Sequence, residues 1–246
     1  MSRLPGWDES VFEAEGRGFP VFRKGSGPGV IIIHEIPGLT PKVQAFAEEV
    51  VDSGFTVVMP SLFGTPGAPM SVGGVVKSLA QVCISKEFTA LATNKTSAIA
   101  TWTRALAAAL HTELGGPGVG ALGMCFTGGF ALAMMVDGHV AAPVLSQPST
   151  PFPVTPALSR DLGLSPADLA TVKERVNAGC PVMGLRYTSD PAIGKRFETL
   201  RRELGDGFIA VELPSQKRTD HSVVTEQRDE ATVQKVLAFF HERLDT

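Results

Sequence analysis

Residues 119–129 read Val-Gly-Ala-Leu-Gly-Met-Cys-Phe-Thr-Gly-Gly, and no other stretch constrains the fold as strongly. The apolar run Val119 to Gly123 has the length of a buried strand. Phe126 to Met135, small and apolar, continues as a buried helix. Cys125 therefore stands on a sharp strand-turn-helix joint. Gly123 before it and Gly128 and Gly129 after it let a helix approach a strand closely, because they carry no Cβ.

The rest of the chain alternates in the same way. Val21 to Lys24 reads as a short strand, followed by the turn residues 25–29. Val30-Ile31-Ile32-Ile33 is a β-branched run suited to a parallel strand buried on both faces. Thr40 is an N-cap with Pro41 at the first helical position, and Val43, Phe46, Ala47 and Val50 share one helix face up to Ser53. Phe55 to Met59 is the next strand, which makes a right-handed βαβ unit. Residues 60–74 form a Gly/Pro-rich loop, and helical stretches follow at Val75 to Ala90 and Thr96 to His111. Val140 to Leu145, Pro181 to Tyr187 and Phe208 to Leu213 are further strands, and Pro148 to Pro156 is expected to cross the surface. Helices are expected from Ser165, from Pro191 to Leu204 and from Glu230 to Leu244. The chain thus reads as one α/β domain over residues 1–246: a doubly wound, mostly parallel sheet with helices on both faces. An excursion at about residues 61–90 is placed to cover a substrate.

Composition narrows the function classes. Apolar residues make up 43% and charged residues 19%, which favours a large core over disorder. The net charge of −3 and the lack of a long basic stretch speak against nucleic acid or an acidic membrane as partner. No segment approaches the roughly 18 apolar residues of a membrane span. The first residues lack the apolar run of a signal peptide, and a reducing, cytoplasmic setting is the expectation. Cys83, Cys125 and Cys180 are too dispersed for a zinc cluster or a disulfide framework. No metal and no cofactor is called for, and the oligomeric state is not legible.

A thiol with a reference pKa of about 8.5 needs a base or a positive field to act as a nucleophile at neutral pH. His221, in a loop before the last helix, is the best base. Asp190, at the carboxyl end of the strand before, is the acid to orient it; Asp220 is the weaker alternative, since adjacent side chains rarely face each other. All three groups then lie beyond the carboxyl ends of strands, where open α/β sheets place their sites.

With Gly123 to Gly129, His34-Glu35-Ile36-Pro37-Gly38-Leu39, the Asp190 loop and His221-Ser222 in view, the chain resembles the dienelactone hydrolase family of the α/β-hydrolase superfamily over about residues 20–244. The order Cys125, Asp190, His221 matches the nucleophile-acid-base order of that superfamily. The resemblance implies that Glu35 holds the resting thiol and that the N–H groups of Ile36 and Phe126 form the oxyanion hole. It implies hydrolysis of a small ester or lactone. Two residues depart from the pattern. Thr127 stands two after the nucleophile, where the simple pattern has glycine, and Thr225 is not basic where a substrate carboxylate calls for a cation. Lys86 is the candidate to supply that charge; of Arg186 and Tyr187, beside the Asp190 loop, Tyr187 is taken as the candidate substrate contact. These departures leave a second reading, a non-hydrolytic protein of the same fold that binds a small molecule or a partner. A thiol oxidoreductase is disfavoured because there is no Cys-x-x-Cys pair.

Other polar residues have bland readings. Cys83 and Cys180 pack as small apolar groups. His111, His139 and His241 sit at helix ends or surfaces, and Arg201-Arg202 is a solvated helix face. His34 is either a pocket residue or a satisfied structural histidine.

Overall fold

The run of β-branched residues at 30–33 lies at the centre of an eight-stranded sheet in the computed structural model, which describes residues 2–84, 88 and 91–245. Strands are β1 (Asp8–Ala14), β2 (Arg17–Lys24), β3 (Gly29–Ile33), β4 (Thr56–Pro60), β5 (Val119–Met124), β6 (Val140–Ser146), β7 (Val182–Tyr187) and β8 (Phe208–Leu213). Helices are α1 (Pro41–Asp52), α2 (Val72–Ile84), α3 (Ala98–Leu114), α4 (Phe130–Met134), α5 (Pro156–Arg160), α6 (Pro166–Asn177), α7 (Arg196–Leu204) and α8 (Glu230–Leu244). The spatial order is β1-β2-β4-β3-β5-β6-β7-β8. β3 to β8 run parallel, while β2 is antiparallel to β1 and β4.

Alternation along β3 sorts its side chains between two cores. Val30 and Ile32 meet α1 and α8 through Val43, Phe46, Val236 and Phe240. Ile31 and Ile33 face the other side, where Trp102 and Leu106 of α3, Val172 of α6 and Phe197 of α7 pack. Val30, Ile31, Ile32 and Ile33 are fully buried, and each contributes about 1.5–3 kcal/mol on transfer from water. This is the doubly wound α/β-hydrolase architecture expected from the sequence.

Four local expectations are corrected. The first strand is not a short one at 21–24 but a hairpin, β1 and β2, turning at Glu15 and Gly16, which both have positive φ. Its outer strand is exposed and polar, so it lacks the apolar run that marks the inner strands. The helix expected at 191–204 is broken at Gly194 into a 3₁₀ turn, Pro191–Ile193, and α7. The helix expected from Phe126 to Met135 is likewise split into a 3₁₀ turn, Cys125–Thr127, and the short α4. Pro148 to Pro151 do not cross the surface: they are buried against the Cys125 joint, where they supply hydrogen-bond partners to it.

Candidate active site

β5 delivers the chain to Cys125 at φ +52°, a left-handed conformation that costs a side-chain-bearing residue about 1–3 kcal/mol. Close packing holds it there. A Cβ on Gly123 would lie 2.2 Å from the Thr127 carbonyl oxygen, so glycine is required at that point. The Thr127 hydroxyl accepts the N–H of Met124 at 3.1 Å and lies 3.0 and 3.1 Å from the carbonyls of Ile33 and His34. The β-branched residue that departs from the simple pattern thus ties the elbow to the end of β3. On the other side, the Cys125 carbonyl accepts the N–H groups of Gly128 at 3.0 Å and Ser149 at 2.9 Å. The Thr150 hydroxyl donates to the carbonyl of Phe126.

Asp190 caps the turn after β7, its Oδ1 accepting the N–H of Ala192 at 3.0 Å. Its Oδ2 lies 2.6 Å from Nδ1 of His221. Buried Arg196 pins this turn by donating to the carbonyls of Ile193 at 2.8 Å, Ala192 at 3.4 Å and Leu158 at 3.0 Å. Burial pulls its guanidinium down to about 10, with nearby Asp161 opposing, so it stays charged at neutral pH. Asp220, the alternative acid, instead accepts the N–H groups of Gln216 and Lys217 in its own turn.

The His221 loop is held by a side chain that sequence reasoning missed. Oε1 of Gln227 accepts the N–H groups of His221 at 3.2 Å and Ser222 at 2.9 Å. The ring of His221 lies between Asp190 and Cys125. Burial opposes its positive charge, but Cys125 and Asp190 outweigh that, and its pKa is pushed up to about 11.

Glu35 is buried, and its partners are the hydroxyls of Ser222 at 2.7 Å and of Thr225, with the amide of Gln147 at 3.3 Å. Cys125 is not among them, so in this arrangement Glu35 does not make the thiol contact that the resemblance implied. Thr225, which is not the basic residue that a substrate carboxylate calls for, is thus engaged by Glu35. Burial pushes the Glu35 carboxyl up, although the Thr225 and Ser222 hydrogen bonds and nearby His221 pull the other way. Gln147 also accepts from the Ser146 hydroxyl and the N–H of Val223, so β6, Glu35 and the His221 loop form one polar network.

Ile36 follows Glu35, and Phe126 follows Cys125. Among the described residues, no turn, loop or cap hydrogen bond uses either N–H. The elbow side is walled by aromatic rings: Phe126 packs against Phe63, Phe88 and Phe152 at 5.8, 5.4 and 5.8 Å between centroids. Pro37 and Gly38, just beyond Ile36, border a cavity of about 140 Å³ that is also lined by Ser71, Lys77 and Ser78, within the expected excursion at 61–90.

Other sequence candidates lie elsewhere. The Tyr187 hydroxyl donates to the carbonyl of Gln227, so it supports the His221 loop. Arg186 pairs with Glu212 and lies 4.5 Å over the Phe197 ring. Lys86 lies outside the described residues, as does the side chain of Cys83. Cys180 is buried, its sulfur 3.5 Å from the carbonyl of Ala141. His111 and His139 meet each other at 3.0 Å, and His241 meets Asp245 at 2.8 Å. Among the described residues there is no group of three or more metal-ligating side chains, and no helix is long and apolar enough to cross a membrane.

The model of the dienelactone hydrolase family matches residues 17–243. The chain belongs to the dienelactone hydrolase family. This dienelactone hydrolase family member shares its fold with a dienelactone hydrolase from Anabaena variabilis, at TM-score 0.65 and 17% identity over 97% of this chain and 99% of that one. A cold-adapted esterase from an Arctic intertidal metagenomic library aligns at TM-score 0.60 and 15% identity, covering 99% and 97%. The thioesterase domain from the curacin biosynthetic pathway aligns at TM-score 0.56 and 14% identity, covering 94% and 99%. No curated protein matches the chain. Family membership supports a hydrolase acting on small molecules.

Proposed function

We propose that this family member hydrolyses a small, uncharged ester or lactone through a Cys125 acyl-enzyme. The observation that carries the reading is one geometry: a thiol on a left-handed elbow, faced by an imidazole that Asp190 holds at 2.6 Å. With the proton that the pair shares already resting on His221, Sγ of Cys125 attacks the carbonyl carbon, and the carbonyl electron pair moves onto oxygen. The N–H groups of Ile36 and Phe126 donate to that oxyanion. Collapse expels the alcohol, which takes the proton from His221. Water then attacks the thioester with His221 accepting its proton, and collapse expels the sulfur with its electron pair while His221 keeps the proton, which restores the resting pair.

Asp190 keeps the imidazole oriented throughout, and Gln227 and Glu35 hold the loop that carries it. An uncharged substrate fits the surroundings. Arg186 is engaged by Glu212, Thr225 by Glu35, and the elbow is lined by Phe63, Phe88 and Phe152.

The test compares the parent with Cys125→Ala and His221→Ala on p-nitrophenyl acetate and simple lactones. The reading expects both variants to lose nearly all activity. Full turnover by Cys125→Ala contradicts it.

A further inference from the structure

The two N–H groups assigned to the oxyanion hole belong to peptide units whose carbonyl ends are both held. In the Cys125–Phe126 unit the carbonyl of Cys125 accepts two backbone N–H groups, from Gly128 and Ser149. In the Glu35–Ile36 unit the carbonyl of Glu35 is held by a side chain: Nδ1 of His34 lies 3.0 Å from it. At the far side of the same ring, Nε2 of His34 accepts the N–H of Leu62 at 3.1 Å. An acceptor nitrogen carries no proton, so the neutral ring must bear its hydrogen on Nδ1 and donate it to Glu35. The ring is fully buried and stands edge-on to Phe63, with centroids 4.4 Å apart. The backbone carbonyl of His34 lies within 3.1 Å of the Thr127 hydroxyl, which ties the residue to the elbow as well.

We propose that His34 is a positioning residue for the oxyanion hole: its Nδ1–H holds the Glu35–Ile36 peptide so that the Ile36 N–H points at the developing charge. The inference rests on the hydrolase reading above. A hydrogen bond to the carbonyl end of a peptide fixes the plane of the whole unit, because the C–N bond does not rotate freely. It also polarises the unit, which strengthens the N–H as a donor. Neutral His34 has another consequence. It offers no positive charge to the substrate, so its part in the reaction goes entirely through the peptide. Leu62 and Phe63 open the excursion after β4, so the same ring couples that segment to the hole.

The experiment uses the full chain with His34→Leu, which loses both ring hydrogen bonds, and His34→Asn, whose side-chain N–H₂ replaces the Nδ1 donor. Three quantities are measured. The first is kcat and KM on p-nitrophenyl acetate. The second is the affinity of an aryl trifluoromethyl ketone, whose carbonyl carbon adds the Cys125 sulfur and leaves a tetrahedral alkoxide in the hole. The third is the rate of alkylation of Cys125 by iodoacetamide, a displacement at carbon that builds no oxyanion.

For His34→Leu, kcat falls about 10- to 100-fold, with KM within about threefold, and ketone affinity falls in step. Alkylation stays within about twofold, and His34→Asn recovers most of kcat. Equal losses in kcat and alkylation overturn the proposal and leave His34 a purely structural residue; so does a kcat unchanged in His34→Leu. If His34→Leu does not fold, the ¹⁵N spectrum of the parent imidazoles decides: a protected Nδ1–H tautomer at His34 is expected, and an Nε2–H tautomer overturns the assignment. Failure of the hydrolase reading is seen separately, as turnover that survives Cys125→Ala.

Discussion

Oδ2 of Asp190 and Nδ1 of His221 meet at 2.6 Å across two loops that lie 31 residues apart in the chain. The carboxylate leaves the other ring nitrogen of His221 directed to Cys125, so exchanging it for an amide reverses the ring's tautomer. Asp190→Asn should therefore lower kcat/KM for p-nitrophenyl acetate by about 10²–10⁴ while the thermal midpoint stays near the parent's. A loss below threefold speaks against Asp190 as the orienting acid.

Thr127 makes a different prediction. Its hydroxyl is fully buried and serves Met124, Ile33 and His34. Thr127→Val keeps the shape but strands the N–H of Met124 in the core. The expected loss of stability is about 1–3 kcal/mol, read from urea unfolding. An unchanged midpoint and slope would mean that the elbow does not depend on this tie.

The outline of the fold could be read because the inner strands are apolar runs with few alternatives. Val30 to Ile33 has one use, a strand covered on both faces, and that is where it lies. β1 escaped because an edge strand needs no such run. The meeting of Asp190 and His221 could be anticipated because each lies beyond a strand end, as Cys125 does. Gln147 and Gln227 could not. An amide gains meaning only from its neighbours, and Gln147 meets Glu35 from 112 residues away. The prolines at 148–151 misled for a related reason. They mark an irregular backbone, which is true, but the Ser149 N–H and the Thr150 hydroxyl of this stretch are what hold the elbow.

Glu35 carries a pH signature. Burial raises its carboxyl above the ordinary 4.5. Above pH 4.5 the unfolded chain gives up this proton while the folded chain keeps it, so the folded state loses stability as pH rises toward the raised value. Glu35→Gln removes that titration. Urea midpoints at pH 5 and pH 8 should differ less in the variant than in the parent, with the variant favoured at pH 8. Identical differences in the two proteins would contradict a raised Glu35 carboxyl.

His34 titrates with the opposite consequence. Burial lowers its pKa from 6.5 to about 4, with the Glu35 carbonyl opposing. As pH falls from 6.5 to about 4 the unfolded imidazole takes a proton that the folded one refuses, so stability present above pH 6.5 is lost across that window. At about 1.4 kcal/mol per pKa unit the loss approaches about 3 kcal/mol. The check is the difference in unfolding free energy between pH 7 and pH 4.5, parent against His34→Asn. The variant should lose less, and equal losses would place the titration elsewhere.

The central claim, that Cys125 carries the acyl group, is tested most directly by rapid acid quench of the parent with p-nitrophenyl acetate, followed by peptide mass spectrometry. The account predicts an acetyl group on the peptide bearing Cys125, forming with the burst of p-nitrophenol and decaying at the turnover rate. Turnover with no adduct on Cys125, or an adduct that forms on another residue at the catalytic rate, would contradict it.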